Sequence, residues 1–208
     1  MRSEKESEPR VVHAEFYAGS VTAKQLPPPV MAEFAFAGRS NVGKSSLLNA
    51  LTQRNGLVRT SRTPGCTRQI NVFIARLTDG FEAHLVDLPG YGFAARSKAE
   101  KGEWGPMIEG YLGTRITLRA LCILIDVRRG PEKEELQLIE FMRARVVQSP
   151  KPVELLLVAT KIDKIPANER KPALAKLKQK SELPVIGFSG ETGEGRKVLW
   201  DRLRGAAL

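Results

Sequence analysis

The sequence contains four short motifs whose residue types could bind a nucleotide. The first has the pattern G-x-x-x-x-G-K-S and is formed by Gly38, Arg39, Ser40, Asn41, Val42, Gly43, Lys44 and Ser45. Glycine lets backbone N–H groups wrap around phosphate oxygens, where a Cβ atom would clash. In such a loop Lys44 would reach the β- and γ-phosphates and Ser45 would bind Mg²⁺. The motif therefore predicts a phosphate loop, with residues 33–37 as the strand before it and residues 45–53 as the helix after it.

The second motif follows the strand predicted for residues 81–86 and consists of Asp87, Leu88, Pro89 and Gly90. A carboxylate at the end of such a strand can hold Mg²⁺ through a water molecule, and we assign this role to Asp87. The backbone N–H of Gly90 can donate to the γ-phosphate. Turns from Asp to Gly are common on their own, so the motif gains its meaning from its place downstream of the phosphate loop.

The third and fourth motifs indicate which base is attached. They comprise Thr160, Lys161, Ile162 and Asp163 after an apolar strand, and Phe188, Ser189 and Gly190 near the C-terminus. An ionised Asp163 only accepts hydrogen bonds, so it can pair with N1–H and N2–H₂ of guanine and rejects adenine. The stem of Lys161 can lie over the base while its ammonium stays in water. A solvated loop carboxylate is the alternative for Asp163, but the order of the motifs favours a GTP- and GDP-binding domain.

The loop between residues 56 and 67 should supply another Mg²⁺ ligand. A threonine of this loop completes the metal shell and senses the γ-phosphate. We choose Thr67, which lies nearest the next strand, and Thr63 remains a competitor. The nucleotide contacts predicted around it are Gly65, Cys66, Thr67, Arg68 and Gln69.

The remaining pattern predicts the elements that position these motifs. Strands are expected at residues 33–37, 69–77, 81–86, 119–127, 153–159 and 184–188, and helices at 45–53, 132–146, 167–180 and 193–204. Alternation of strands and helices favours an α/β fold with a mostly parallel sheet covered on both faces. Together with the order of the four motifs, it predicts a three-layer P-loop GTPase with a Ras-like G domain. Its mixed, mostly parallel, six-stranded sheet would have one antiparallel strand, 69–77. We expect one domain over residues 14–204, a flexible N-terminal tail over 1–13 and a C-terminal tail over 205–208.

Charge and composition suggest where the protein acts. The net charge is +10, and residues 34–78 contain no acidic side chain, although they include Arg59, Arg62 and Arg68. Such a stretch is suited to RNA phosphates, whereas we interpret the basic run at 170–180 as a solvated helix face. No apolar run is long enough for a membrane span, the charged first ten residues are not a secretory signal, and two cysteines do not indicate a disulfide framework. We expect a cytoplasmic monomer that binds neither DNA nor a membrane.

Residues 87–94 resemble the signature of the EngB/YihA/YsxC GTPases of bacteria, a branch of the TrmE-Era-EngA-EngB-septin-like superfamily. The phosphate loop with Asn41, the segment 63–67, the pair Asp126 and Arg128, and the segment 104–112 are also similar to that family. The resemblance covers residues 14–203. It implies Ser45 and Thr67 as Mg²⁺ ligands. It also implies a role in assembly of the large ribosomal subunit and its rRNA, needed for normal growth and for cell division.

Two departures from the family pattern and one from Ras-like enzymes bear on catalysis. Cys66 stands where the family usually has a basic residue, and Gly190 where a second serine is common. Ras-like enzymes carry a catalytic Gln directly after the D-x-x-G glycine, and here Tyr91 occupies that position. We therefore predict slow intrinsic hydrolysis and stimulation by a partner. The candidate catalytic groups are Lys44, Asn41 through a monovalent cation such as K⁺, and Thr67.

Two questions stay open from the sequence alone. Asn41 could hold K⁺ beside the phosphates, or it could only stabilise the loop through local hydrogen bonds. The function could be a GTPase switch in ribosome assembly, a GTPase switch unrelated to ribosomes, or an RNA-binding chaperone gated by nucleotide binding. The sequence contains no lipidation motif that would support a membrane-linked switch.

Overall fold

The computed structural model describes residues 10–58, 69–90, 107–148 and 152–208. The strands are β1 (Val11–Ser20), β2 (Glu33–Gly38), β3 (Ile70–Leu77), β4 (Glu82–Asp87), β5 (Leu118–Asp126), β6 (Glu154–Thr160) and β7 (Val185–Phe188). The helices are α1 (Lys44–Thr52), α2 (107–114), α3 (Lys133–Gln148), α4 (Ala167–Ser181) and α5 (Arg196–Ala207). Short 3₁₀ turns cover Ala23–Gln25 and Ile162–Lys164.

All seven strands join one sheet with the order β1-β3-β4-β2-β5-β6-β7. Strand β3 pairs antiparallel with both of its neighbours, whereas the pairs from β4 through β7 are parallel. Since β1 is antiparallel to β3, β3 is the one strand among the described residues that runs against the others. The predicted α/β class, with a mostly parallel sheet and one antiparallel strand, is therefore confirmed. Parallel strands bring their carboxyl ends to one edge, where the loops with the four motifs gather.

The two faces of the sheet carry separate apolar cores. Alternate residues of β5 divide between them: Leu121 and Ile123 pack toward α2, α3 and α4, and Cys122 and Leu124 toward α1 and α5. This is the three-layer arrangement expected of a buried, mostly parallel sheet. The indole N–H of Trp200 donates to the carbonyl of Leu51 (3.0 Å), which ties α5 to α1.

Strand β1 is the main difference from the six-stranded sheet expected from the sequence. Its register shifts between Val11 and His13 and again between Phe16 and Ala18. Each irregularity changes the face to which the next side chains point, so the strand lacks the period-two alternation by which strands are recognised. Its pairing with β3 at the sheet edge, rather than a local pattern, defines it.

The ends of the folded domain also differ from the predicted bounds. Strand β1 begins at Val11, so residues 11–13 belong to the sheet rather than to a flexible tail. Helix α5 continues to Ala207, beyond the predicted domain end at Arg204. The rest of the predicted N-terminal tail lies outside the described residues, apart from Arg10. Within the part of the chain that the structure describes, no helix is both long enough and apolar enough to cross a membrane.

A buried carboxylate at the start of β2 anchors the segment that follows α2. Glu33 accepts hydrogen bonds from Tyr111 Oη (2.8 Å) and Arg115 Nε (3.0 Å), and Arg115 also donates to the carbonyl of Pro27 (3.0 Å). Burial alone would raise the pKa of Glu33, but the interactions with His84 and Arg115 outweigh it and lower the pKa to about 2. Glu33 is therefore a charged structural group at the amino-terminal end of the central strand β2, opposite the end that carries the motif loops.

Candidate functional site

The phosphate loop has the strand–loop–helix setting predicted for it. Strand β2 ends at Gly38 and α1 begins at Lys44, so the loop between them faces the first turn of α1. The first N–H groups of a helix have no intrahelical acceptor, and they favour an anion. Gly43 precedes the helix with φ 105°, a conformation that an L side chain rarely adopts. The backbone of this loop can therefore surround phosphate oxygens.

Lys44 and Asp87 connect the first two motifs through a buried ion pair. Their side chains are 8% and 1% exposed, respectively. The second carboxylate oxygen of Asp87, Oδ2, is buried and has no hydrogen-bond partner among the described residues. An unsatisfied buried acceptor next to the phosphate loop suits a donor such as a metal-bound water. The donor set thus fits Mg²⁺, with Ser45 on the first turn of α1 as its predicted direct ligand.

A close approach at Gly90 brings the D-x-x-G motif against the phosphate loop. A Cβ atom at Gly90 would lie 3.3 Å from Ser40 Oγ and 3.4 Å from the Ser40 backbone nitrogen. The backbone of Gly90 thus lies against the loop predicted to bind phosphate. The donation from its N–H to the γ-phosphate stays a prediction.

The base-recognition residues meet although they come from different loops. Ser189 Oγ donates a 2.7 Å hydrogen bond to Asp163 Oδ1, and Lys164 Nζ lies 3.1 Å from Asp163 Oδ2. The hydrogen bond from Ser189 and the interaction with Lys164 hold the pKa of Asp163 below its usual range. Asp163 is therefore an ionised acceptor at neutral pH, which is the state that pairing with two guanine donors requires.

The third motif also contacts the phosphate loop directly. Thr160 Oγ1 donates to the carbonyl of Val42 (2.6 Å), and Lys161 Nζ donates to the carbonyl of Asn41 (2.9 Å). Gly43 lies beside the same strand end, since a Cβ there would be 3.7 Å from Thr160 Cβ. The loops predicted to bind base and phosphate thus form one connected surface.

Five predicted site residues have buried apolar side chains: Val42, Leu88, Pro89, Ile162 and Phe188. Leu88, Ile162 and Phe188 pack in the apolar cores, whereas Val42 also lines the cavity beside the phosphate loop. Apolar side chains form no hydrogen bonds, so a polar contact of these residues with a nucleotide would come from their backbone. Gln69 is exposed, and its amide donates to Asn71 Oδ1 (3.0 Å).

The segment predicted to supply the second Mg²⁺ ligand lies outside the described residues. It contains Gly65, Cys66, Thr67 and Arg68, and Tyr91 is likewise outside them. Their assignments stay predictions. In the described ranges, no three His, Cys, Asp or Glu side chains cluster as a metal site. This does not conflict with Mg²⁺ at a phosphate loop, where hydroxyl groups, waters and phosphates are the usual ligands.

One acidic residue of the site, Asp126, belongs to none of the four motifs, and only the family resemblance pointed to it from the sequence. Asp126 ends β5, and its carboxylate accepts hydrogen bonds from Arg128 Nε (2.9 Å) and Nη2 (2.7 Å). Lys161 Nζ lies 3.1 Å from Asp126 Oδ2. Chiefly through the hydrogen bonds from Arg128, the pKa of Asp126 is held well below its usual range. The available signal was an acidic residue at the carboxyl end of a parallel strand, where ligand loops gather.

Comparison with known proteins defines the class first. Residues 33–161 match the family model described as "50S ribosome-binding GTPase", and they include the first two motifs and the first two residues of the third, Thr160 and Lys161. This span exceeds half of the chain, so the described site lies in a GTPase domain. Individual relatives then identify the family within this class of GTPases.

"Probable GTP-binding protein EngB" of Geobacter metallireducens is 44% identical over 197 residues, covering 93% of this chain and 92% of that protein. The protein of the same name from Desulforapulum autotrophicum is 45% identical over 190 residues, covering 91% and 94%, respectively. The chain belongs to the EngB family of GTP-binding proteins.

Solved structures support the same fold. A crystal structure of Aquifex aeolicus Era bound to GDP and AlF₄⁻ has a TM-score of 0.67 at 24% identity, over 86% of this chain and 57% of that one. A crystal structure of "a probable GTP-binding protein engB" has a TM-score of 0.62 at 22% identity, over 85% and 98%. At these identities the likeness concerns the fold alone.

Proposed function

We propose that this protein is a GTP-dependent switch that acts on the assembling large ribosomal subunit and hydrolyses GTP slowly. The observation that carries the nucleotide part is the ionised Asp163, oriented by Ser189 beside a phosphate loop. The ribosomal part is supported by the family description, which names a 50S ribosome-binding GTPase. Action on ribosome precursors would place the protein in the cytoplasm. We further propose that it is needed for normal growth and contributes to cell division.

Magnesium belongs to this proposal as the partner of the phosphates. Ser45 and Thr67 would hold the ion directly, and Asp87 through a water molecule. The bound ion would neutralise charge on the β- and γ-phosphates. Lys44 lies within reach of the same region, as its pairing with Asp87 indicates. We assign the lysine to binding and charge neutralisation at the transferred phosphate.

We expect slow hydrolysis because Tyr91 occupies the position directly after the D-x-x-G glycine, where Ras-like enzymes carry the Gln that orients water. Tyr91 cannot position an attacking water through an amide as the Gln of Ras-like enzymes does. We propose that a partner, such as the ribosomal particle, or a monovalent cation near Asn41 supplies the missing stabilisation. A rise in the GTP hydrolysis rate on addition of purified large subunits would support this, and an unchanged rate would contradict stimulation by the particle.

Electrostatics supports an rRNA partner. The chain carries a formal charge of +10, and Arg59 and Arg62 come from its acid-free stretch. RNA contacts by arginine side chains release counterions, so binding should weaken steeply as salt rises. The lysines on the exposed face of α4, Lys171, Lys176 and Lys178, remain a solvated helix face in this proposal. Because Arg59 and Arg62 precede the predicted γ-phosphate sensor Thr67, we propose that their contact depends on the nucleotide.

Co-sedimentation with purified large ribosomal subunits across a salt series tests the proposal. We expect stronger binding with a non-hydrolysable GTP analogue than with GDP, and a steep loss of binding with salt. Replacing Arg59 and Arg62 with alanine should flatten the salt dependence and remove the nucleotide effect, while GTP affinity changes little.

The matched control replaces Lys171, Lys176 and Lys178 with alanine. This change removes positive charge from a helix that contains none of the predicted phosphate contacts. We expect it to preserve the difference between GTP analogue and GDP. If the amount of unmutated protein that sediments with the subunits depends neither on the nucleotide nor on the salt concentration, the ribosomal proposal is contradicted. The proposal that the protein binds GTP would not be affected by that result.

A further inference from the structure

We propose that Asp126 is a positioning residue for nucleotide binding, because its carboxylate holds the Lys161 ammonium against the carbonyl of Asn41. Through this contact the end of β5 connects the base-recognition turn to the phosphate loop. The inference rests on nucleotide binding at the proposed site, and it adds to that site a residue that none of the four motifs contains.

The geometry joins three segments at one ammonium group. Lys161 Nζ lies 3.1 Å from Asp126 Oδ2 and donates a 2.9 Å hydrogen bond to the Asn41 carbonyl. The side chain of Asp126 is 8% exposed, whereas that of Lys161 is 31% exposed. A buried carboxylate interacts with a cation more strongly than a surface one does, because water screens the pair less. Asp126 is thus placed to fix a side chain that would otherwise move.

The two backbone positions that this contact joins are both in the left-handed region. Asn41 has φ 63° and Lys161 has φ 60°. A residue other than glycine keeps such a conformation only where its surroundings stabilise it. The hydrogen bond from Lys161 to Asn41 links the two strained positions. Asp126 orients the donor of that bond and thereby supports both.

The Lys161 side chain borders a cavity on one side. Asn41, Asp126 and Lys161 line a cavity of about 250 Å³ beside the phosphate loop. Since this side of the lysine faces open space, the carboxylate and the carbonyl supply its fixed contacts. Loss of the carboxylate should let Lys161 leave the carbonyl, and the stem predicted to lie over the base would move with it.

Arg128 offers the competing explanation for Asp126. Its guanidinium binds both oxygens of Asp126, and its backbone N–H donates to Oδ1 (3.1 Å). Asp126 could therefore serve only to order the start of the segment after β5. The Arg128 side chain is 50% exposed, so a pair of that kind contributes little to stability. The two explanations differ in whether Asp126 acts on nucleotide binding through Lys161.

A double-mutant cycle distinguishes them, with binding of a fluorescent GDP analogue as the readout. Asp126→Asn keeps the shape of the side chain and removes its charge, and it should weaken GDP binding roughly tenfold. In a Lys161→Met background the same change should have less than about a twofold effect, because its target is gone. Asp126→Glu keeps the charge and should recover most of the affinity. Arg128→Ala is the matched control and should weaken binding much less than Asp126→Asn.

The outcomes separate this inference from the proposed function. The positioning role would be overturned if Asp126→Asn reduced GDP affinity by the same factor in the unmutated and the Lys161→Met backgrounds, or did not reduce it at all. Neither result would contradict GDP binding itself. Failure of the unmutated protein to bind GDP would overturn the proposed function and this inference together. Thermal unfolding without nucleotide checks that the Asp126→Asn and Asp126→Glu chains are folded. If Asp126→Asn does not fold, Asp126→Ala is carried through the same cycle, and a loss of affinity that persists in the Lys161→Met background overturns the role.

Discussion

Asp163 and Ser189 are 26 residues apart in the sequence and meet in a single 2.7 Å hydrogen bond. Ser189 Oγ also accepts from the backbone N–H groups of Glu191 (3.2 Å) and Thr192 (3.1 Å), so its own position is fixed by the turn that follows it. The carboxylate of Asp163 is therefore oriented by the loop of the fourth motif. Because no reorganisation is then needed when a base binds, this pair should make a large contribution to base selection.

Replacing Asp163 with asparagine should change the preferred base from guanine to xanthine. The change puts an N–H₂ donor where guanine presents two donors, and each charged hydrogen bond contributes about 1.5–3 kcal/mol. We expect GTP affinity to fall by roughly 10- to 100-fold and xanthine nucleotides, which carry a carbonyl at C2, to bind better than GTP. Competition between XTP, GTP and ATP for a fluorescent nucleotide measures this. Equal binding of ATP and GTP by the unmutated protein would show that Asp163 does not select the base.

Ser189→Ala is the matched control for base selection. It removes the hydrogen bond that orients Asp163 but leaves the carboxylate and its charge. We expect a loss of GTP affinity smaller than that of Asp163→Asn, with guanine still preferred over xanthine. A switch to xanthine nucleotides in Ser189→Ala would contradict this division of roles.

Asn41 should make GTP hydrolysis sensitive to the monovalent cation. If it helps to hold K⁺ beside the phosphates, hydrolysis should be several-fold faster in KCl than in NaCl at equal ionic strength. Asn41→Ala should remove that difference and largely retain Mg²⁺-dependent binding. Phosphate release in the two salts is the measurement. Identical rates for the unmutated protein would leave Asn41 with only its structural role in the loop.

Glu33 should make the folded protein sensitive to acid. Its pKa lies at about 2 in the folded state, against an ordinary value of 4.5, so the unfolded state binds the proton more readily. The stabilisation is therefore present above about pH 4.5 and is lost as the pH falls toward 2, a change on the order of 3 kcal/mol. Urea unfolding between pH 2 and pH 6 measures it.

Variants of the Glu33 cluster test that assignment. Glu33→Gln should be less stable at pH 6 by about 3–5 kcal/mol, because Arg115 loses its buried partner, and its stability should vary less with pH. Tyr111→Phe removes one hydrogen bond and keeps the ion pair, so it should reduce the pH dependence only slightly. The same pH slope in Glu33→Gln as in the unmutated protein would assign the acid sensitivity to other groups.

Gly190 should not tolerate the serine that is common at this position in the family. A Cβ atom there would lie 2.9 Å from Ser46 Cβ and 3.1 Å from the Ser46 carbonyl carbon. The clash involves backbone, so the fourth motif or the start of α1 must move, at a cost of about 1–3 kcal/mol. We expect Gly190→Ser to lower the melting temperature and weaken nucleotide binding. The double change Gly190→Ser with Ser46→Gly should recover part of both, and no recovery would argue against this contact.

The boundaries of α1 and β6 show what a local pattern can predict. Both elements were expected within one residue of their observed ends, because α1 buries apolar residues at the helical period and β6 is a short, continuous apolar run that is buried on both faces. The gap between the strands predicted at residues 69–77 and 81–86 is a turn in the structure: Gly80 has φ 83°, and its N–H donates to the carbonyl of Leu77 (3.0 Å). Strand β1 was missed, since bulges remove its alternation and pairing with β3 supplies its stability.

The sequence by itself determined the class of fold, the order of the motifs and the chemistry of Lys44, Asp87 and Asp163, because these depend on residue type and short spacing. Only the tertiary structure decided which of these groups meet. The Lys44–Asp87 pair, the Ser189–Asp163 hydrogen bond and the contact of Lys161 with Asp126 all join residues from different elements of the fold. Their distances follow from how parallel strands align their carboxyl ends in the folded sheet, and no local pattern encodes that alignment.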